Sequence, residues 1–319
     1  RMAPGSCAKI GAIQTEEGTI VSDPQHMADV LRRHWASVFS ARGVDLDLLR
    51  KWVADDIAAR TVENNLQEAM RGAQIERKHV ATAVSRSNDS APGPDGVPYL
   101  AWRLLKEDAI DVLYDAIRAM AQEDGPFHMT RRYADFNHSL LLFLPQKNVG
   151  EGDMASVYSP EGVRPLNVTN TDNRLVASSV RAAIEPTLGQ LVTMDQRGFI
   201  SGRSMLANIL DVEEAMAMAT FRGIRSLAVF FDCSAAFPSI EHALMFEYFD
   251  ALEWPQWLMR IIRILYQGNS CDISMGPVAF FGFSITRGIR QGCPLSPLLF
   301  AVASELILRR LSRSVRDNT

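Results

Sequence analysis

One aspartate in this sequence stands where a divalent metal ion and a phosphate group could be held. Asp232 ends the apolar run SLAVFFD and is followed by CSAAFPS, a short turn of small residues. A carboxylate at the end of a rigid strand, with room around it, is a ligand suited to Mg²⁺. A lone aspartate in this setting more often hydrogen-bonds its own turn, so Asp232 alone does not establish a metal site.

Residues 287–300 (RGIRQGCPLSPLLF) form a second candidate, because a turn rich in Gly and Pro opens directly into an apolar helix. Backbone groups and the Gln291 amide in such a turn can face a nucleotide or a template strand. Pro294, Ser296 and Pro297 also suit an ordinary helix start. Residues 163–186 and 195–209 add arginines in or beside turns, for which a solvated surface is the usual explanation.

The elements that must position these residues are of mixed type. SLLLFLP at 139–145 and SLAVFFD at 226–232 are continuous apolar runs, the pattern of central strands covered on both faces. Residues 9–21 predict a hairpin, Asp23 and Pro24 predict a helix start, and NDSAPGPDGVP is dense in turn residues. Apolar spacing predicts helices near 45–57, 74–86, 98–123, 172–192, 204–220, 240–267 and 297–313, with extended pieces near 270–286.

Composition indicates a folded protein with no membrane span. The 319 residues are 47% hydrophobic and 22% charged, and polar residues or proline cut every apolar run short of a span. Four scattered cysteines indicate neither a disulfide framework nor a structural zinc site, which fits a reducing, intracellular location. The net charge of −4 argues against a protein that coats nucleic acid. A local basic groove remains open, because arginines crowd the end of the sequence at positions 287, 290, 309, 310, 313 and 316.

Six segments, taken in order, resemble the fingers and palm of reverse transcriptases from non-LTR retrotransposons. They are APGPDG, LLLFLPQK, RPLNVTNTDNRLVA, DQRGFISGRS, FFDCSAAF and RQGCPLSPLLF, and they span roughly residues 75–313. The stretch from Lys9 to Ser40 also resembles what precedes the fingers in these elements. DQRGFISGRS and RQGCPLSPLLF together are the most specific part of the resemblance.

The resemblance implies an α+β fold, that of the fingers and partial palm of a right-hand polymerase, with a palm sheet flanked by helices. The implied divisions are an N-terminal extension over residues 1–74, fingers with the start of the palm over 75–225, and an incomplete palm over 226–319. The implied activity is RNA-directed DNA synthesis by two-metal nucleotidyl transfer. Its partners would be an RNA template, a DNA primer and deoxynucleoside triphosphates, with no membrane involved, and its location would be intracellular and nuclear.

The resemblance also assigns roles residue by residue. Asp232 would be the catalytic carboxylate and would hold two Mg²⁺ ions. Nucleotide binding would fall to Arg164, Lys147, Phe237, Gln291 and Gly292, and template binding to Arg197, Gly198, Arg203 and Arg290. The ring of Phe237 would clash with a ribose 2′-hydroxyl and so favour deoxynucleotides, although a place in the core explains the same residue.

Several positions depart from the family's pattern. Pro238 stands where many relatives have an acidic residue, Asn173 where an aromatic residue is common, and Gln146 where a basic residue is frequent. GEGDMASVYSPEG at 150–162 lengthens a turn between two finger strands, which weakens the assignment of Lys147.

One further departure concerns catalysis. Relatives carry an aromatic-x-Asp-Asp hairpin beyond the helix that follows RQGCPLSP, and this sequence reaches LSRSVRDNT without it. We therefore expect the 319-residue chain on its own not to polymerise. The first alternative is a retroelement relic that retains at most RNA binding. DQRGFISGRS argues against a maturase or a telomerase-like enzyme, and no GxGxxG, GxxxxGK, HExxH or GxSxG motif supports an unrelated α/β enzyme.

Overall fold

The structure is a computed structural model that describes residues 10–60, 68, 70–122, 136–150, 156–225 and 227–316. Local capping residues determine where its N-terminal elements begin and end. Strands β1 (Ala12–Gln14) and β2 (Ile20–Val21) form the predicted antiparallel hairpin. Helix α1 (Pro24–Phe39) follows, and the Asp23 carboxylate accepts the His26 N–H at 3.1 Å. The predicted hairpin and helix start are confirmed.

The next helices are α2 (Leu46–Ala58), α3 (Arg77–Ser85), α4 (Tyr99–Leu105) and α5 (Glu107–Gln122). The single helix predicted over 98–123 is wrong, because it divides in two at Lys106. That residue has a φ of 49°, a left-handed conformation that a continuous α-helix does not contain.

A four-stranded sheet forms the scaffold beside these helices. Its strands are β3 (His138–Pro145), β5 (Val163–Thr169), β6 (Asn269–Met275) and β7 (Val278–Ile285), in the order β5-β3-β6-β7. β3 is therefore central, antiparallel to β5 and parallel to β6. A short strand, β4 (Val157–Tyr158), pairs in parallel with β1. The prediction of a central strand at 139–145 is confirmed, and the strands at 270–286 are confirmed as well.

The remaining helices are α6 (Thr171–Leu191), α7 (Leu206–Phe221), α8 (His242–Ala251), α9 (Gln256–Tyr266) and α10 (Ser296–Arg316). One helix was predicted over 240–267, and that prediction is wrong. Glu253 has a φ of 55° and Pro255 has no backbone N–H to donate, so α8 ends and α9 starts afresh.

Two apolar cores hold these elements together. The larger joins α6, α8, α9 and α10, with residues of α3 and α5 packed against them. In the smaller one, Trp35 and Phe39 of α1 lie against Leu141, Phe143 and other residues on one face of the sheet. The other face of β3 is only half-buried, so the central strand is covered less completely than its apolar sequence predicts.

The second predicted central strand, at 226–232, is wrong. Residues 227–233 have no regular secondary structure, and Leu227, Phe230 and Phe231 are 87%, 78% and 84% exposed. A strand that is apolar on both faces is stable only when it pairs with neighbours and is covered on both sides. None of the strands in the described part of the chain pairs with this run.

Helix α7, like residues 227–231, exposes large apolar side chains. It buries no residue, and its exposed large apolar side chains are Leu206, Ile209, Leu210, Met216, Met218 and Phe221. Exposed apolar patches of this kind mark surfaces that another segment or molecule covers. Among the described helices, none is both long and apolar enough to cross a lipid bilayer.

Candidate functional site

The turn at 287–293 lies against the outer edge of β5. The Asn167 N–H donates to the Gln291 carbonyl oxygen at 2.8 Å, which occupies part of the edge of the strand. Gly292 has a φ of 109°, and a Cβ there would lie 2.5 Å from the Asn167 carbonyl oxygen. On the other side, the N–H of Ile289 donates to the Phe237 carbonyl at 2.8 Å. The turn is thus held between β5 and residues 237–240.

Substituting Gly292 by alanine is expected to destabilise the fold by about 2–4 kcal/mol, because the new Cβ adds a clash with β5 to an unfavourable φ. Urea denaturation would measure the loss. The matched control is Gly96→Ala, where φ is 72° but a Cβ would meet nothing within 4 Å. That variant should lose only about 1 kcal/mol. Equal losses for the two variants would mean that the contact with β5 is not tight.

Arg164 and Lys147 lie at the same end of the β3–β5 pair. Arg164 pairs across the ladder with Leu144, and its side chain is exposed. The Lys147 N–H donates to the Gly162 carbonyl at 2.9 Å, and its side chain is exposed as well. With the oxygen of its amide turned toward Arg164, Gln146 accepts hydrogen bonds from that guanidinium at 2.7 and 3.2 Å. Two cations therefore face solvent at this end, and Gln146 orients one of them.

Phe237 belongs to an aromatic cluster. Its ring stacks on Phe300 of α10 with centroids 4.4 Å apart and planes 8° from parallel, and Phe199 meets both rings edge-on. Phe237 remains half-buried. The cluster fixes the orientation of the ring, and the predicted role in nucleotide selection remains a prediction.

Arg290 is buried, in contrast to what a template contact requires. It is 1% exposed, its guanidinium lies 5.4 Å from the centroid of the Tyr266 ring, and none of its nitrogens has a hydrogen-bond partner among the described residues. Burial also lowers the pKa of the neighbouring His242, whose Nε2 lies 2.9 Å from the Gly288 carbonyl oxygen. The contact of Arg290 with the template remains a prediction.

Arg203 and Arg197, both assigned to the template, are engaged within the chain. The Arg203 guanidinium donates to four backbone carbonyls, including those of Gln196 at 2.7 Å and Gly189 at 2.6 Å. It thereby closes the C-terminal end of α6. Arg197 forms an ion pair with Asp211 at 2.6 Å, and the Gly198 N–H donates to the Gln196 side chain at 3.3 Å. This segment has a structural role, and its template contact remains a prediction.

Asp232 is the residue predicted to hold the metal ions. It is exposed, in a segment without regular structure, and it has no hydrogen bond to any described residue. No group of three or more His, Cys, Asp or Glu side chains within the described ranges could hold a metal ion. The described residues therefore do not fit two Mg²⁺ ions by themselves, since one carboxylate leaves the charge and the coordination of two dications incomplete.

Residues at the start of α6 position the loop 88–98. The sequence patterns did not identify them as functional residues. The side chain of Asn170 accepts the Asp95 N–H at 3.1 Å, and the Thr171 hydroxyl donates to the Val97 carbonyl at 2.9 Å. A Cβ on Gly93 would lie 2.4 Å from the Asn170 nitrogen. The cluster of short polar side chains in NTDN was the available signal, because such residues commonly bond to nearby backbone.

Comparison with known proteins gives one family and several relatives. Residues 146–318, more than half of the chain, match the family model described as reverse transcriptase (RNA-dependent DNA polymerase). The chain is 23% identical over 309 residues, 95% of its length, to the transposon TX1 uncharacterized 149 kDa protein of Xenopus laevis. It is 28% identical over 70% of its length to a Pol polyprotein from a type-1 R2 retrotransposable element of Nasonia vitripennis. A type-2 R2DM Pol polyprotein of Drosophila melanogaster is 24% identical over 74% of the chain. The chain spans about a fifth of the length of each of these relatives.

Proposed function

Because this chain belongs to the reverse transcriptase (RNA-dependent DNA polymerase) family, we propose that its parent protein is a retrotransposon polymerase that copies RNA into DNA. The retrotransposon relatives agree with the resemblance drawn from the six sequence segments. The α+β fold, with a mixed sheet flanked by helices, is consistent with the fingers and palm expected from that resemblance. The substrates would be an RNA template, a DNA primer and deoxynucleoside triphosphates.

The contact between the 287–293 turn and β5 is the observation that carries this proposal. It brings Gln291 and Gly292, which are more than 100 positions from β5 in sequence, onto the strand that bears Arg164. In the proposed site Arg164 binds phosphate oxygens of the incoming nucleotide by paired hydrogen bonds, for which a planar guanidinium is well suited. The Gln291 amide and the Gly292 backbone would lie along the nucleotide.

The aromatic cluster suits the proposed selection of deoxynucleotides. A ring that discriminates against a 2′-hydroxyl must keep its position when a ribonucleotide approaches. Stacking on Phe300 and the edge contact with Phe199 hold Phe237 in this way. We therefore propose that Phe237 bounds the site beneath the sugar.

Members of this family use divalent metal ions, and we propose that Asp232 supplies one of their carboxylate ligands. The other carboxylates would come from an aromatic-x-Asp-Asp turn elsewhere in the parent protein. The exposed apolar surface of α7 and residues 227–231 supports this proposal, since it offers further segments of the parent a place to pack. On this view the 319-residue chain alone has no polymerase activity.

The test is primer extension on an RNA template in the presence of Mg²⁺, with the parent protein and the 319-residue chain compared at equal concentration. We expect the parent to extend the primer and the shorter chain not to. Steady extension by the shorter chain would contradict its proposed inactivity. Failure of the parent to extend would contradict the polymerase and favour the relic that only binds RNA.

A further inference from the structure

A small cavity lies between the end of α6, the α8–α9 connection and α10, and none of the assignments above uses it. The space open to the centre of a water molecule is about 10 Å³. Four aliphatic side chains form most of the wall, and the polar residues in it include Arg60 and Glu305, with the indole of Trp254 beside them. The cavity is therefore too small for an organic ligand and large enough for water.

Two side chains of this wall are buried and carry a polar atom without a partner. Trp254 is 3% exposed, and its indole Nε1 has no hydrogen-bond partner among the described residues. Glu305 is 1% exposed, and its Oε2 likewise has no partner among the described residues. A buried donor or acceptor without a partner destabilises a fold, and ordered water commonly satisfies such groups. The cavity thus adjoins one residue with an unpaired donor and one with an unpaired acceptor.

Neighbouring contacts hold both side chains in place. The Trp254 ring stacks on Phe249, with centroids 4.1 Å apart and planes 18° from parallel. The other oxygen of Glu305, Oε1, accepts the Thr193 N–H at 3.1 Å. Turning either side chain toward a different partner would break one of these contacts. The donor and the acceptor therefore stay beside the cavity.

The chemistry of the wall selects the ligand. A molecule that satisfies both groups must accept a hydrogen bond from the Trp254 N–H and donate one to the Glu305 carboxylate. A metal ion cannot accept from the indole, and the Arg60 guanidinium, which donates to Asp56 at 2.9 Å, repels a cation. A simple anion cannot donate to the carboxylate and is repelled by it. Water can do both, and its size suits the cavity.

We propose that one water molecule is bound in this cavity as part of the folded protein, accepting from Trp254 Nε1 and donating to Glu305 Oε2. It joins the α8–α9 connection to α10. Through the Oε1 of Glu305, the same carboxylate reaches Thr193, two residues beyond the end of α6. The bound water therefore fixes α10 against two segments that are distant from it in sequence. This proposal is independent of the proposed polymerase activity.

Nuclear magnetic resonance of the 319-residue chain tests the water directly. The indole N–H of Trp254, assigned by its loss in Trp254→Phe, should show a nuclear Overhauser effect to water, with the sign of a molecule that tumbles with the protein. Glu305→Leu removes the acceptor and fills the cavity, so the effect should disappear. Trp257 is the matched control, because its indole N–H donates to the Ala73 carbonyl at 2.8 Å and should show no such effect.

A double-mutant cycle in urea tests the bridge without spectroscopy. Glu305→Gln and Trp254→Phe should each lower the unfolding equilibrium constant's reciprocal, the folding constant, by at least about fivefold, the effect of one net hydrogen bond. Their combined loss should fall short of the product of the single losses by about fivefold, because both variants lose the same bridge.

The outcomes separate the water from its alternatives. Coupling between the two substitutions without the effect on the water resonance would show a direct hydrogen bond between Trp254 and Glu305 and would overturn the proposal. Independent losses in the cycle would overturn the bridge, and an effect on water that survives Glu305→Leu would overturn the assignment to Glu305. A water effect confined to Trp254, together with coupled losses, is the expected result.

Discussion

Replacing Asp56 by asparagine is expected to lower the free energy of unfolding by about 3–5 kcal/mol. The Asp56 side chain is completely buried on α2. Its carboxylate receives hydrogen bonds from Arg60 at 2.9 Å, Arg309 at 2.8 Å, Arg313 at 3.2 Å and the Tyr248 hydroxyl at 2.9 Å. One negative charge thus joins α2 to α8 and α10 and compensates three guanidinium groups.

The size of this effect follows from what the substitution leaves behind. An asparagine keeps the shape of the side chain but removes the charge, so three cations remain near one another with no anion between them. Burial disfavours the carboxylate form, but the hydrogen bonds from Arg309 and Arg60 outweigh it and hold the pKa of Asp56 below its ordinary value of 3.8. The stabilisation is therefore fully present above pH 3.8 and is lost as the pH falls through the lowered pKa.

Urea denaturation of Asp56→Asn at neutral pH measures the effect, and Asp55→Asn is the matched control. Asp55 is the preceding residue, its side chain is 52% exposed, and its carboxylate pairs only with Arg310 among the described residues, at 3.9 Å. An exposed pair of this kind contributes little, so the control should lose less than about 1 kcal/mol. Similar small losses for both variants would show that the buried cluster does not hold the helices together.

The spacing of apolar residues correctly predicted those elements that pack against segments close in sequence or that their neighbours bury fully. The predictions for α6 and α10 agree closely with Thr171–Leu191 and Ser296–Arg316, because their apolar faces are buried in the larger core. The apolar run at 227–231 led to the wrong prediction of a strand. An apolar sequence shows that a segment is stable only when other residues bury it, but it does not show whether those residues do so. Helix breaks at Lys106 and Glu253 also went unpredicted, because neither residue type favours the positive φ it adopts.

The sequence predicted which segments form the candidate site, but it did not predict the contacts between them. The motifs identified the Gln291–Gly292 turn, but only the fold shows that this turn binds β5 through Asn167. The positions of the arginines in the sequence did not show what their side chains contact. Arg290 is buried beside Tyr266, and the Arg203 guanidinium donates to nearby backbone carbonyls. Which cations remain available depends on tertiary packing. Arg86 is exposed and its side chain has no hydrogen bond to any described residue, whereas the Arg203 guanidinium donates to backbone carbonyls.

Replacing Asp232 by asparagine in the parent protein is expected to reduce RNA-templated primer extension about a thousandfold or more. The amide retains the size of the side chain but lacks the negative charge that a divalent cation requires from a carboxylate ligand. Folding should be unaffected, because Asp232 is exposed and has no hydrogen bond to any described residue. Loss of activity in this variant would therefore report on chemistry and not on stability.

Single-turnover primer extension in the parent protein tests whether Asp232 is the catalytic carboxylate, with unaltered protein, Asp232→Asn and Asp115→Asn compared on the same RNA template. Asp115 is an exposed aspartate on α5, outside the proposed site, and serves as the control. Asp115→Asn is expected to extend the primer at the unaltered rate, whereas Asp232→Asn should show almost no extension and still bind RNA. Extension by Asp232→Asn at the rate of the control would contradict the assignment of Asp232 as the catalytic carboxylate.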